Sequence, residues 1–404
     1  MTNWFIPIPE DFPSQRALLH LGLNSASRYY RELVVPGIGG AWFVRQLSWA
    51  VAGIALAREC NHKPTPIANG IEALAGKLQW NEEQDEYKGR GVNAFKRDDG
   101  QHIWSFTELS NSAHYVQVTY RQSSVRALSG LGITAGTRFN SMVLTGIGED
   151  LATTFLDQKR EKKEKFTLLP ALLNWIQVEK GVNATNFSKE LVRTGTSDKE
   201  KEIIRNALIS DSLDNLSDTN RRRILIQVFG GNSTRPPGMK VLLNKLKGRS
   251  ITLCDDIETS LAFDDLLKNM QLAIYSVAEL FGRDPALTLH GLLSDDQIKD
   301  LLEQVVASSH SFMRSKGKKH PDVVGFISEI SGTSVSEKEL LAAIVRRDGN
   351  VLLYSQDRIL RGPLFDHRKT VRTVDESLTE EEGSEETSTG NKILQLFNLW
   401  RDCQ

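Results

Sequence analysis

The 404-residue chain holds three cysteines, Cys60, Cys254 and Cys403, far apart and with no Cys-x-x-Cys pair. That excludes a disulfide framework and a cysteine-based zinc site, and it points to a reducing, cytoplasmic setting. An excess of one charge is missing as well. Fifty Lys and Arg stand against 51 Asp and Glu, so any nucleic-acid surface must be local. No apolar run is clean enough to span a membrane: the most hydrophobic stretch, 38–57, carries Arg45, Gln46 and Ser48 and reads as a buried helix. The opening MTNWFIPIPEDFP has no basic segment followed by an apolar run, so no secretory signal is expected.

Catalytic signatures are scarce. Gly37-Ile38-Gly39-Gly40 lacks a preceding strand and the Gly-Lys-Ser/Thr ending of a phosphate loop, and reads as a flexible helix entry. The eight histidines are scattered, and no nucleophile–base pair stands at a telling spacing. Asp98, Asp99 and His102 sit in an Asp-Gly cluster of the kind that makes turns. Asp255, Asp256 and Glu258 follow an expected strand at 250–254 and read as a capping cluster ahead of a helix from Thr259, not as a metal site. An enzyme, a cofactor and a metal centre are therefore not expected.

What is present is helical periodicity. The expected fold class is mainly α with small β elements. The chain divides into an N-terminal helical domain (1–100), a central unit (101–157), a helical region (158–235), a helical and α+β domain (236–372), an acidic linker (373–390) and a C-terminal helix (391–404). The stretch 80–99 reads as a loop or short hairpin, and the charge run QKREKKEK at 158–165 as the solvated part of a helix. Arg221-Arg222-Arg223 offers three phosphate-gripping groups, with Asp211, Asp214 and Asp218 near enough to neutralise them. Met239 to Lys247 is a short basic helix. Ser336 caps a helix from Glu337 to Val345, and a turn leads into 351–354, so a small helix-plus-hairpin unit is expected there.

The segment from Ser112 to Leu156 organises the functional reading. Val125, Leu128 and Leu131 make one helical stripe, Gly130 and Gly132 end that helix, and two short extended runs lead to a last helix capped by Thr145. This order resembles the winged-helix domains of many bacterial regulators. In such a unit Arg121, Gln122, Ser123, Ser124 and Arg126 would line a recognition helix and Arg138 the wing, supplying guanine, adenine and phosphate contacts to DNA. Between Glu108 and Glu149 no acid opposes Arg121, Arg126 and Arg138.

Residues 375–390 carry seven acids and no basic residue, and should be disordered. The amphipathic helix beyond them places Ile393, Leu394, Phe397 and Trp400 where they can dock a protein partner or fold back onto the chain's own body. Two functions follow: a DNA-binding protein working in a multi-protein assembly, or a non-enzymatic helical adaptor. Prokaryotic defence and mobile-element systems use many proteins of the second kind.

Overall fold

The computed structural model describes residues 21–83, 86–87, 89–97, 104–111, 115–116, 118–160, 163–177, 190–209, 216–230, 234–282, 284–330, 335–365 and 388–404. The chain is mainly α with small β elements, and it forms two compact units. Among the described residues one unit gathers 29–260 with 388–404, and the other gathers 21–28 with 261–365.

The helices α1 (Asn24–Val34), α2 (Val44–Glu59), α3 (Pro64–Glu83), α4 (Val92–Arg97), α5 (Phe106–Leu109) and α6 (Tyr120–Gly130) come first. A strand pair, β1 (Thr134–Ala135) and β2 (Val143–Leu144), leads to α7 (Gly146–Leu156). A second pair, β3 (Lys159–Arg160) and β4 (Lys163–Thr167), precedes α8 (Leu168–Gln177), α9 (Asp198–Ile209), α10 (Leu216–Phe229) and α11 (Met239–Lys247). The long α12 (Ile251–Glu279) is followed by β5 (Ala286–Thr288), α13 (Leu289–Leu292), α14 (Asp296–Arg314), α15 (Pro321–Ile330) and α16 (Glu337–Asp348). The strands β6 (Leu352–Ser355) and β7 (Arg358–Arg361) and the final helix α17 (Thr389–Asp402) complete the order.

In the larger unit α2 is buried on nearly every side, from Val44 to Leu56. It crosses α3 closely because Gly53 faces Ala68: a Cβ at Gly53 would lie 2.5 Å from the Ala68 Cβ. Around this crossing the aromatic residues Phe43, Trp49, Phe106 and Trp175 build the core. Trp49 and Trp175 each donate the indole N–H to a backbone carbonyl, of Leu191 and Trp104 respectively, so their burial leaves no polar atom stranded.

Burying α2 also buries Arg45, and the fold supplies its counter-charge. Arg45 and Glu200 are both fully buried and 3.3 Å apart. Glu200 also accepts from the Ser48 hydroxyl at 2.6 Å, from the backbone N–H and hydroxyl of Ser197, and from the Gln158 amide. Arg45 further donates to the Gly195 carbonyl and lies over the Phe155 ring.

In the smaller unit, a three-stranded antiparallel sheet runs in the order β5-β7-β6. The β6–β7 hairpin turns at Gln356 and Asp357, both in the left-handed region, the conformation that matches strand twist in a two-residue turn. Ser336 and Glu339 form a capping box on α16, and Gly349 ends that helix at φ +59°. The expected helix-plus-hairpin order is present here.

Several local expectations change. Residues 251–254 form no strand but the first turn of α12, which runs on through the helix expected from Thr259. The reason is contact: Leu253, Cys254 and Ile257 are buried along one side, a spacing that a strand could not bury. Within the run 158–165, Lys159–Arg160 and the residues from Lys163 pair as β3 and β4 instead of extending a helix. It has no apolar stripe to dock, whereas strand pairing needs only backbone groups. The stretch 80–99 is partly helical, since α3 continues to Glu83 and α4 occupies Val92–Arg97. Residues 98–103, and the acidic segment up to 387, lie outside the described residues.

Candidate nucleic-acid interface

α6 begins with a complete cap. Thr119 accepts from the Gln122 backbone N–H, and the Gln122 side chain accepts from the Thr119 N–H at 2.9 Å. The first two helical N–H groups are taken by a residue from another helix. Glu72 of α3 accepts from Tyr120 N–H at 2.7 Å and from Arg121 N–H at 2.9 Å. A buried carboxylate thus occupies the positive end of α6, where a helix would otherwise receive a phosphate. Burial pushes the Glu72 carboxyl up; Arg90 and the two N–H groups oppose that.

The rest of α6 is held equally firmly. Arg90 donates to the Val118 carbonyl at 2.8 Å and to the Ser123 hydroxyl at 2.9 Å, with its guanidinium over the Tyr120 ring. Gln46 of α2 donates to the Ser124 hydroxyl at 2.9 Å and to the Gly40 carbonyl at 3.0 Å. The Gly37–Gly40 loop lies against α6 backbone to backbone. Gly40 N–H donates to the Ser123 carbonyl at 2.8 Å, and a Cβ at Gly39 would come within 2.8 Å of Ala127 N. The glycines serve this close approach, which is also why they read as a flexible entry in the sequence.

The six expected DNA-contacting residues are therefore divided. Ser123 and Ser124 are buried among Arg90, Gln46 and the glycine loop. Arg121 is half-buried, donates to the Asn69 amide oxygen at 2.8 Å and lies over the Phe139 ring; burial lowers its pKa, with Glu72 opposing. Gln122 is exposed but closes the cap. Arg126 and Arg138 are exposed. The correction is one of phase. Val125, expected on the buried stripe, is only half-buried, and the inward face is Ser123, Ser124, Ala127 and Leu128. Serine reads as surface from sequence, but here its hydroxyls find buried partners.

Arg221, Arg222 and Arg223 also turn inward. Arg222 donates to the carbonyls of Leu208 and Pro36, and Arg223 to that of Ile209, so two cations cap the C-terminal end of α9. Arg221 pairs with buried Asp256 at 2.7 Å and donates to the Leu33 carbonyl. Asp256 is thereby an ion-pair partner, and among the described residues no cluster of His, Cys, Asp or Glu is placed to hold a metal.

The four expected partner-docking residues lie on α17, which packs on the body. Ile393 and Phe397 are buried; Leu394 and Trp400 are half-buried. Phe397 meets Phe229 edge-on at 5.5 Å between ring centres. Lys392 donates to the Gly39 carbonyl, and Asp402 accepts from Val44 N–H at 2.8 Å, so both ends of the helix are tied.

Glu72 and Arg90, which organise α6, send no local signal, because a lone charge, in a helix as at Glu72 or in the loop before α4 as at Arg90, reads as a solvated surface residue. No helix among the described residues is long and apolar enough to cross a membrane. Comparison with known proteins returned no matching family model, no matching characterised protein and no matching solved structure.

Proposed function

We propose that the chain is a non-enzymatic helical scaffold subunit of a multi-protein assembly, with α6 as an internal strut. One observation carries this reading: the carboxyl of Glu72 fills the N-terminal end of α6. A helix whose anion-binding end is already occupied by a carboxylate of its own protein is built for packing, not for reading bases. A partner reaches α17 through Leu394 and Trp400, the half-buried members of its apolar set. The test is capture from an extract of the source cells by the wild-type chain and by an L394D/W400D variant that keeps the wild-type melting temperature. A partner recovered by the first and lost by the second supports the reading; identical capture by both removes α17 as the docking element.

A second reading keeps DNA at the edge of the α6–β2 segment. Exposure of Gln122, Arg126 and Arg138 favours it. It requires that R126A/R138A weaken salt-sensitive binding to random duplex DNA in a fluorescence-anisotropy titration. An unchanged isotherm would remove it.

A further inference from the structure

The most cationic stretch of the chain runs from Thr219 to Cys254. It contains eight Arg and Lys residues and no Asp or Glu. The fold sorts these eight into two groups. Arg221, Arg222 and Arg223 face inward onto carbonyls and Asp256. The other five, Arg235, Lys240, Lys245, Lys247 and Arg249, are exposed on α11 and its two flanks.

α11 is anchored by Leu242 and Leu246, which are buried, so its opposite face carries Lys240, Asn244 and Lys245 outward. Gly238 gives the first turn no side-chain cap. Lys240 to Lys247 covers ~10 Å of helix, about the length of three phosphates along one strand of a duplex. Lys247 is 3.7 Å from Glu258 in an exposed pair, and Arg249 donates to Gln227 Oε1 at 3.0 Å, which leaves further N–H groups of its fork for a ligand. Exposed apolar surface here amounts to Val241 and Ile251, 50% and 68% exposed, because the leucines face the body. That is too little to insert into a lipid surface, and it favours a phosphate backbone.

We infer that α11 and its flanking residues form a sequence-independent contact surface for the phosphate backbone of duplex nucleic acid, centred on Lys240, Lys245 and Arg249. This surface goes beyond the scaffold reading and is separate from the α6 edge.

The test is an anisotropy titration of the full chain against a labelled random duplex at about 50 and 200 mM salt. The wild type binds, and K240Q/K245Q/R249Q weakens binding at least about tenfold and lowers the salt slope by about 3, near 0.9 for each lost phosphate contact. The charge-keeping variant K240R/K245R/R249K retains affinity and slope. Should the triple Gln variant not match the wild-type melting temperature, K240Q and K245Q singly each lower the slope by about 1. No binding by the wild type at the lower salt overturns the inference, as does an unchanged isotherm in the Gln variants. Loss of binding in R126Q/R138Q with the α11 variants unaffected places the contact at the α6 edge and also overturns it. So does binding to phosphatidylserine vesicles without binding to the duplex.

Discussion

Gly130 and Gly37 meet through their backbones: a Cβ on Gly130 would lie 2.4 Å from the Gly37 carbonyl oxygen. The last residue of α6 and the glycine loop therefore cannot both stay in place if either gains a side chain. Gly130→Ala is expected to lower unfolding stability by about 2–3 kcal/mol through overpacking. Gly132 has φ +68° but nothing within 4 Å, so Gly132→Ala carries only backbone strain, about 1 kcal/mol. Urea denaturation of the two variants distinguishes them, and equal midpoints would contradict the close approach.

The Arg45–Glu200 pair is fully buried in the larger unit. Arg45→Met strands the Glu200 carboxylate and is expected to lose about 3–5 kcal/mol. Adding Glu200→Gln removes the stranded charge and should restore a substantial part of that loss. Additive losses in the double-mutant cycle would show that the two groups do not depend on each other.

α17 is a structural element of its unit. Phe397→Ala, which empties the contact with Phe229, is expected to cost about 3–5 kcal/mol, whereas half-buried Trp400→Ala costs less. Deleting 391–404 exposes the surface of α10 and the Gly39 loop and should lower the melting temperature seen by circular dichroism. A deletion that melts with the wild type would make the helix a detachable handle.

Asp348 gives the smaller unit a pH dependence. Its buried carboxyl accepts from the N–H groups of Val351 and Leu352, yet burial dominates and pushes its pKa up to about 6. The unfolded chain loses this proton near pH 3.8, so between about pH 4 and 6 the folded state binds more protons, and stability falls as pH rises through that window. Asp348→Asn keeps an acceptor oxygen without the titration. Melting temperatures between pH 4 and 7 should show the fall in the wild type and a flatter profile in the variant. The same slope in both would assign the effect elsewhere.

The functional segment was legible as a succession of elements but not as a surface. Thr145 and Ser336 announce helix starts because capping is local chemistry, and each accepts the backbone N–H expected of a cap. The residues between the caps carry less information. Arg121, Ser123 and Arg222 look like surface groups in sequence, and their partners Asn69, Arg90 and Leu208 lie 52, 33 and 14 residues away.

What the sequence determined by itself was the helical class, the order of most elements and the helix-plus-hairpin pattern of 336–361, because periodicity, caps and turn chemistry act over a few residues. Tertiary structure alone decided which charges are exposed. Of the eight cations between Thr219 and Cys254, three turn inward, donating to backbone carbonyls and pairing with Asp256, and five remain on the surface. That sorting depends on whether a distant acceptor can satisfy a buried charge more cheaply than water does, and such an acceptor exists only once the chain has folded.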